Sequence, residues 1–236
     1  MSHLILIRHG QSVWNLENKF TGWVDVKLSS KGKEEATKAG ELIRKLDINF
    51  GSFYTSYLKR AIDTLNIILK TNDLNNVKVK KAWQLNERHY GSLTGLNKDD
   101  MKKKLSEEEV YKFRRSWDKA PDKLDKSSPY HPCKIDIYKS IPENLIPDTE
   151  SLKDTYDRVI PYYKNNITDN LTKNVLISAH GNSIRALCKY LFNLDNNNIS
   201  KLEIPTGNPL KLEIKSGKVI YAKYLDQKRA KDLIVF

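Results

Sequence analysis

"LILIRHGQSVWN" (residues 4–15) decides how the rest of the chain is read. Leu4–Ile7 is an uninterrupted apolar run, the signature of a strand buried on both faces. It runs straight into Arg8, His9 and Gly10, with Ser12 and Asn15 just beyond. "VLISAHGNS" (175–183) repeats that logic: an apolar strand, then His180-Gly181, then polar residues opening a helix. In parallel α/β sheets, ligands sit outside the carboxyl ends of the strands. If the two strands are neighbours, both imidazoles reach one crevice. The glycines let backbone N–H groups approach an anion, and helix N-termini favour negative charge there.

Outward from these two stretches the chain alternates strand and helix. Ser29 or Ser30 caps a helix carrying Ala36, Ala39, Ile43 and Leu46 on one face. Phe53–Ser56 reads as a strand, Leu58–Lys70 as a helix and Val77–Trp83 as an edge strand. Asn97–Trp117 reads as two short Lys- and Glu-rich helices. Leu152, Tyr156, Val159 and Tyr163 mark another helix, and Ser183–Leu194 a further one. Leu210–Ile214 and Lys218–Tyr224 form a hairpin around Ser216-Gly217. The pattern predicts an α/β fold, a mainly parallel sheet with helices on both faces and an antiparallel hairpin near the C-terminus. One domain, 1–236, is expected, with no internal repeat. The proline-rich stretch 118–148 has little periodicity and is too long for a plain connector, so it is expected to be a lid-like excursion.

Bulk properties narrow the function classes. The chain has 236 residues and a formal charge of +12, from 41 Lys plus Arg against 29 Asp plus Glu. That excess favours anionic partners, although most of these lysines read as a solvated surface. There is no zinc finger, no RNP-like segment and no Lys/Arg stripe interleaved with aromatics, so a nucleic-acid partner is not expected. No apolar run approaches ~20 residues, so no membrane span is expected. The 2 cysteines, Cys133 and Cys188, suit a reducing cytoplasm better than a disulfide framework. Cys188 falls in an apolar helical stretch and reads as buried. With no HExxH, EF-hand or Walker loop, no metal is expected.

The crevice chemistry follows from the residue types. Arg8 adjoins His9, and Arg60 opens the helix after the second strand. A guanidinium fork matches phosphate in a way an ammonium does not. At ~4 Å and an effective dielectric of ~20, each unit charge pair contributes about 4 kcal/mol before desolvation. Two histidines at such an anion site divide the work. One is a neutral nucleophile aimed at phosphorus; the other donates hydrogen bonds to the transferring oxygens. A third group must carry the proton of the attacking or leaving hydroxyl, and Glu87 is the candidate. Taken singly, each has a plainer reading: Arg60 as a solvated helix residue, Glu87 paired with Arg88 on the surface. His89 and His131 read as structural, and His3 as part of a mobile terminus.

These residues resemble the cofactor-dependent phosphoglycerate mutases of the histidine phosphatase superfamily. The resemblance runs through "LIRHGQSVWN" (6–15), "FTGW" (20–23), "TSYLKRAIDT" (55–64), "LNERHYGSLTGLNK" (85–98), "FRRSWD" (113–118), "PDTESLKDT" (147–155), "AHGNS" (179–183) and "PTGNPL" (205–210). It covers almost the whole chain and implies the family's three-layer sandwich. It also implies that His9 becomes phosphohistidine, that Glu87 is proton donor and acceptor, and that His180, Arg8 and Arg60 clamp the phosphoryl group. Ser12, Asn15, Gly181 and Asn182 would complete that pocket. Thr21, Gly22, Tyr90, Lys98, Arg114 and Arg115 would hold the substrate carboxylate and second phosphate. The implied reaction interconverts 3-phosphoglycerate and 2-phosphoglycerate, primed by 2,3-bisphosphoglycerate. That primer carries roughly five negative charges, about two per phosphate plus one carboxylate, and Lys98, Arg114 and Arg115 supply the surplus of cations it needs. Family members form dimers, sometimes tetramers, so a homodimer is expected, with Val77–Trp83 or the "WQLNERHY" stretch as candidate contacts. Gln11 stands where relatives often have Glu, and Thr21 where they vary, which leaves bisphosphoglycerate synthase or phosphatase activity open. A nucleic-acid binder on a dead phosphatase fold is the other rival. "YLDQKRAKDLIVF" (224–236) shows none of the Lys-, Ala- and Gly-rich tail of many relatives, so a phosphohistidine less shielded from water is expected.

Overall fold

The computed structural model describes residues 1–233. In chain order its strands and α-helices are β1 (Ser2–Arg8), α1 (Val13–Leu16), α2 (Ser30–Arg44), β2 (Phe50–Thr55), α3 (Lys59–Thr71), β3 (Val79–Lys81), α4 (Lys98–Leu105), α5 (Glu107–Arg115), α6 (Leu152–Asn166), β4 (Asn174–Ala179), α7 (Gly181–Leu191), α8 (Asn196–Lys201), β5 (Leu210–Lys215) and β6 (Lys218–Tyr224). The last three residues of 224–236 lie outside the described residues.

The strands form one six-stranded sheet in the order β3-β2-β4-β1-β5-β6. β1, β4, β2 and β3 are parallel, whereas β5 and β6 run antiparallel. β1 and β4 are neighbours, and their register pairs Leu4 with Val175 and Arg8 with Ala179. Both strands therefore end level, and the residues that follow, His9 and His180, leave the sheet side by side. The backbone continues the ladder one step further, with His9 N–H donating to Ala179 O at 3.0 Å.

The uninterrupted apolar run in β1 has a direct cause. Successive side chains point to opposite faces. Leu4 and Leu6 pack in a core with α6 and α7, beside Leu152, Val159, Ile184 and Leu187. Ile5 and Ile7 pack in the opposite core with α2 and α3, beside Ile43, Leu65 and Ile68. Helices on both sides leave no face of the strand for polar residues.

Several boundaries differ from those the sequence predicts. β1 begins at Ser2, so His3 belongs to a strand rather than a mobile end; its N–H donates to Asn174 Oδ1 at 2.8 Å. The edge strand shrinks to Val79–Lys81, because the chain turns into a 3-10 helix at Trp83–Leu85 after Ala82 N–H bonds Thr55 O. α7 starts at Gly181 and not Ser183, because the Ser183 hydroxyl accepts the His180 N–H and caps the first turn. It ends at Leu191 rather than Leu194. Residues 118–148 hold single 3-10 turns at Pro132–Lys134, Asp136–Tyr138 and Glu143–Leu145. This stretch buttresses two loops. Tyr138 Oη donates to Trp23 O at 2.5 Å, and Asp122 O accepts from Ser92 N–H at 2.8 Å.

The turn after β1 is locked against α2 by two glycines. A Cβ on Gly32 would meet Gln11 O at 2.0 Å, and one on Gly10 would meet Gly32 O at 2.1 Å. No flexible side chain can yield there, since each contact is backbone. Helix propensity alone favours Gly32→Ala by about 1 kcal/mol. The expected result of Gly32→Ala is the opposite, a loss of about 1–3 kcal/mol from overpacking. Urea unfolding measures it, and a variant as stable as the parent would contradict this contact.

Candidate active site

His9 and His180 face each other at the carboxyl end of the sheet, with ring centroids 5.0 Å apart and planes tilted by 60°. His9 Nδ1 lies 2.6 Å from the carbonyl oxygen of Gly10. A carbonyl only accepts, so the hydrogen is assigned to Nδ1 and the lone pair to Nε2. Arg60 Nε donates to that Nε2 at 3.3 Å. Burial, then the charges of Arg60 and Arg8, push the His9 imidazole well below its ordinary value. It is a neutral base near pH 7, with its free electron pair on a fixed nitrogen. Burial also lowers His180, helped by Arg60 and His9. His180 Nε2 pairs with Ser56 Oγ at 2.7 Å, and its Nδ1 is buried without a partner in the protein.

The arginines around the rings are held by the backbone. Arg60 is 1% exposed, not a solvated helix residue. Its two terminal nitrogens donate to Val24 O at 2.8 Å and Gly22 O at 2.7 Å. The two-pronged phosphate clamp expected of Arg60 is therefore already engaged with the 22–24 loop, and Nε is the edge turned to His9. Arg8 donates to Ile204 O at 2.8 Å, and its buried Nε has no partner. Burial lowers both guanidinium groups, and Glu87 partly offsets this.

Glu87 follows the 3-10 turn at Trp83–Leu85. Its Oε1 accepts from Arg88 N–H at 2.7 Å and Asn182 N–H at 3.2 Å. The surface pair with Arg88 does not form. Arg88 is fully buried, and its guanidinium lies over the Tyr90 ring at 4.8 Å. Behind the loop, Arg158 donates to the carbonyls of Gln84, Asn86 and Glu87 while pairing with Glu150.

Two adjoining cavities open here, one of them onto His9. One, of about 260 Å³, is lined by Arg8, Glu87, Tyr90, Arg114, Arg115, Gly181, Asn182, Arg185, Glu203, Ile204, Pro205 and Lys231. The other, of about 70 Å³, is lined by Arg8, His9, Asn15, Lys19, Phe20, Thr21, Gly22, Arg60, Glu87, Tyr90, Lys98 and Arg114. Cations outnumber carboxylates in both. Burial lowers Lys98 to about 8. Burial would raise the Tyr90 phenol, but Arg88 and Arg114 bring it below its ordinary value. Thr21 Oγ1 is buried without a partner. Among the described residues no group of three or more His, Cys, Asp or Glu side chains is placed to hold a metal ion.

Nearly all the sequence-predicted site residues converge here. Two of them, Ser12 and His180, line neither cavity. Ser12 Oγ accepts from Asn15 N–H at 3.1 Å, capping α1 and setting the Asn15 side chain. His180 is fully buried behind His9, its ring against His9 and its Nε2 on Ser56 Oγ. Sequence reasoning missed Lys19, Arg185, Glu203 and Lys231. Arg185 sits three residues along α7 from Asn182, to whose Oδ1 it donates at 2.9 Å, a helical spacing that could have flagged it. The other three come together only through the fold.

The family model of the histidine phosphatase superfamily (branch 1) matches residues 4–227. The chain belongs to that superfamily. A protein of Pelagibacter ubique (strain HTCC1062) named 2,3-bisphosphoglycerate-dependent phosphoglycerate mutase is 61% identical over 239 residues, 100% of both chains. A protein of the same name from Hydrogenobaculum sp. (strain Y04AAS1) is 52% identical, over 89% of this chain and 86% of its own. Among solved structures, phosphoglycerate mutase from Bacillus anthracis str. Sterne superposes with a TM-score of 0.67 at 23% identity, covering 92% of this chain and 90% of that one. At that identity the likeness is one of fold.

The neutral histidines carry a stability signature. His9 and His180 sit well below 6.5, and burial lowers His89 to about 3. Below pH 6.5 the unfolded chain binds protons at these rings that the fold refuses. Stability therefore falls as pH drops, by about 1.4 kcal/mol per pH unit for each ring. Urea unfolding across that range is expected to show His89→Gln with a slope shallower by one ring. An unchanged slope would mean His89 is charged in the fold.

Proposed function

We propose that the protein interconverts 3-phosphoglycerate and 2-phosphoglycerate through a phosphoryl group carried on His9 Nε2. The observation that carries this reading is the neutral His9 imidazole, its lone pair on Nε2 beside Arg60 Nε, lining a cavity with more cations than one phosphoryl group requires. The names of the closely similar relatives support the same reading.

Partnerless buried polar atoms at Arg8 Nε and Thr21 Oγ1, both on residues lining the cavities, fit an anionic primer of the 2,3-bisphosphoglycerate type. Such a primer, when bound, supplies the phosphoryl group that loads His9. The chain's own residues do the rest. His9 Nε2 attacks phosphorus, a nitrogen–phosphorus bond forms and the ester oxygen leaves. Glu87 gives that oxygen its proton; in the return step it takes the proton of the attacking hydroxyl, so charge balances over the cycle. Arg8, Arg60 and His180 hold the transferring oxygens as their charge shifts. Asn15, Gly181 and Asn182 close the pocket around them, and Ser12 acts through Asn15. Thr21, Gly22, Tyr90, Lys98, Arg114 and Arg115 hold the carboxylate and the second phosphate. No step needs a metal. The reading extends to a cytoplasmic homodimer whose partners are small phosphorylated acids, with no nucleic acid. Among the described residues no helix is long and apolar enough to cross a membrane.

Labelling with phosphate-labelled 2,3-bisphosphoglycerate tests the role of His9. Wild type is expected to take up acid-labile label, and His9→Ala none; equal label in both defeats the assignment. Glu87→Gln is expected to lower kcat by about 10²–10⁴-fold. Release of free phosphate without 2-phosphoglycerate would make the protein a phosphatase instead.

A further inference from the structure

Outside the cavities, a carboxylate, an imidazole and a thiol stand in line on the 118–148 stretch. His131 is 1% exposed. Its Nε2 meets Asp148 Oδ1 at 3.0 Å, and its Nδ1 lies 3.0 Å from Cys133 Sγ. The tautomer follows from a third contact: Nδ1 accepts the backbone N–H of Cys133 at 3.2 Å. A backbone N–H only donates, so Nδ1 carries the lone pair and Nε2 carries the hydrogen given to Asp148. The thiol therefore donates its proton to Nδ1; its other acceptor, Lys126 O, is 3.9 Å away. The hydrogen bond from His131 holds the Asp148 carboxyl below its ordinary range, so the third member is ionised. Cys133 is exposed, whereas Cys188 is buried. None of the three residues lines the phosphate cavities.

A nucleophile, a base in hydrogen-bond reach and a carboxylate orienting that base is the arrangement that activates cysteine. We propose that Cys133, with His131 and Asp148, is a modification site at which the thiol is oxidised by small peroxides. Nδ1 of His131 takes the thiol proton. The thiolate attacks one peroxide oxygen, forming a sulfur–oxygen bond as the oxygen–oxygen bond breaks. The departing oxygen takes the proton from Nδ1. With hydrogen peroxide, sulfur loses two electrons to become a sulfenic acid, and the second oxygen leaves as water.

The test treats the full chain with hydrogen peroxide, traps sulfenic acid with dimedone and reads each cysteine by peptide mass. Cys133 is expected to label about tenfold or more faster in the folded protein than in the urea-unfolded chain, with Cys188 protected in the fold. His131→Asn, checked for folding by circular dichroism, is expected to bring Cys133 down to the unfolded-chain rate. The unfolded wild type gives the reference even where that variant does not fold. A folded wild type in which Cys133 reacts no faster than in the unfolded chain overturns the proposal. So does a folded His131→Asn variant with an unchanged rate.

Discussion

The structure depends on the parallel pairing of β1 with β4. That register sets Arg8 beside Ala179, and His9 N–H extends the ladder to Ala179 O. Two rings 171 residues apart in the chain (9 against 180) are thereby held 5.0 Å apart by main-chain hydrogen bonds. Because both strands are covered on both faces, a slip by one residue would drive Leu4 and Leu6 into the wrong core. The hydrophobic register and the catalytic register are the same constraint.

Electrostatics then divides the buried groups by type. Arginine stays charged when buried because its intrinsic pKa is so high; imidazole does not. Burial among Arg8 and Arg60 therefore yields cations beside neutral histidines, rather than a ring of equal charges. The cost of burying guanidinium groups is offset by backbone carbonyls at Val24, Gly22 and Ile204. Those same bonds shape the loops that line the cavity, so the cation cage and its scaffold cannot be separated. The same idea recurs one layer back, where Arg158 gathers three carbonyls of the loop bearing Glu87. Arg185 likewise donates to the carbonyls of Arg114 and Arg115.

Much of this was legible in the residues. The paired His-Gly stretches, the alternation of elements and the terminal hairpin follow from pattern, whereas most of the cavity residues come only with the family resemblance. The misses share a cause. Ser12 is a polar residue close to His9 in the chain, but whether it faces a ligand or caps α1 depends on the turn that Gly10 and Gly32 allow. Glu203 and Lys231 carry no local signal, because their neighbours in space are distant in sequence. The Cys133–His131–Asp148 line was equally hidden, since its geometry hangs on a loop without periodicity.

The sequence by itself determined the elements, the buried strands and the chemical types gathered at their ends, because periodicity and motif are local properties of the chain. The tertiary structure alone decided which nitrogen of His9 carries the lone pair, where the arginine forks are tied and which polar groups remain unpaired. Those outcomes depend on hydrogen-bond partners and on burial, both contributed by residues far along the chain.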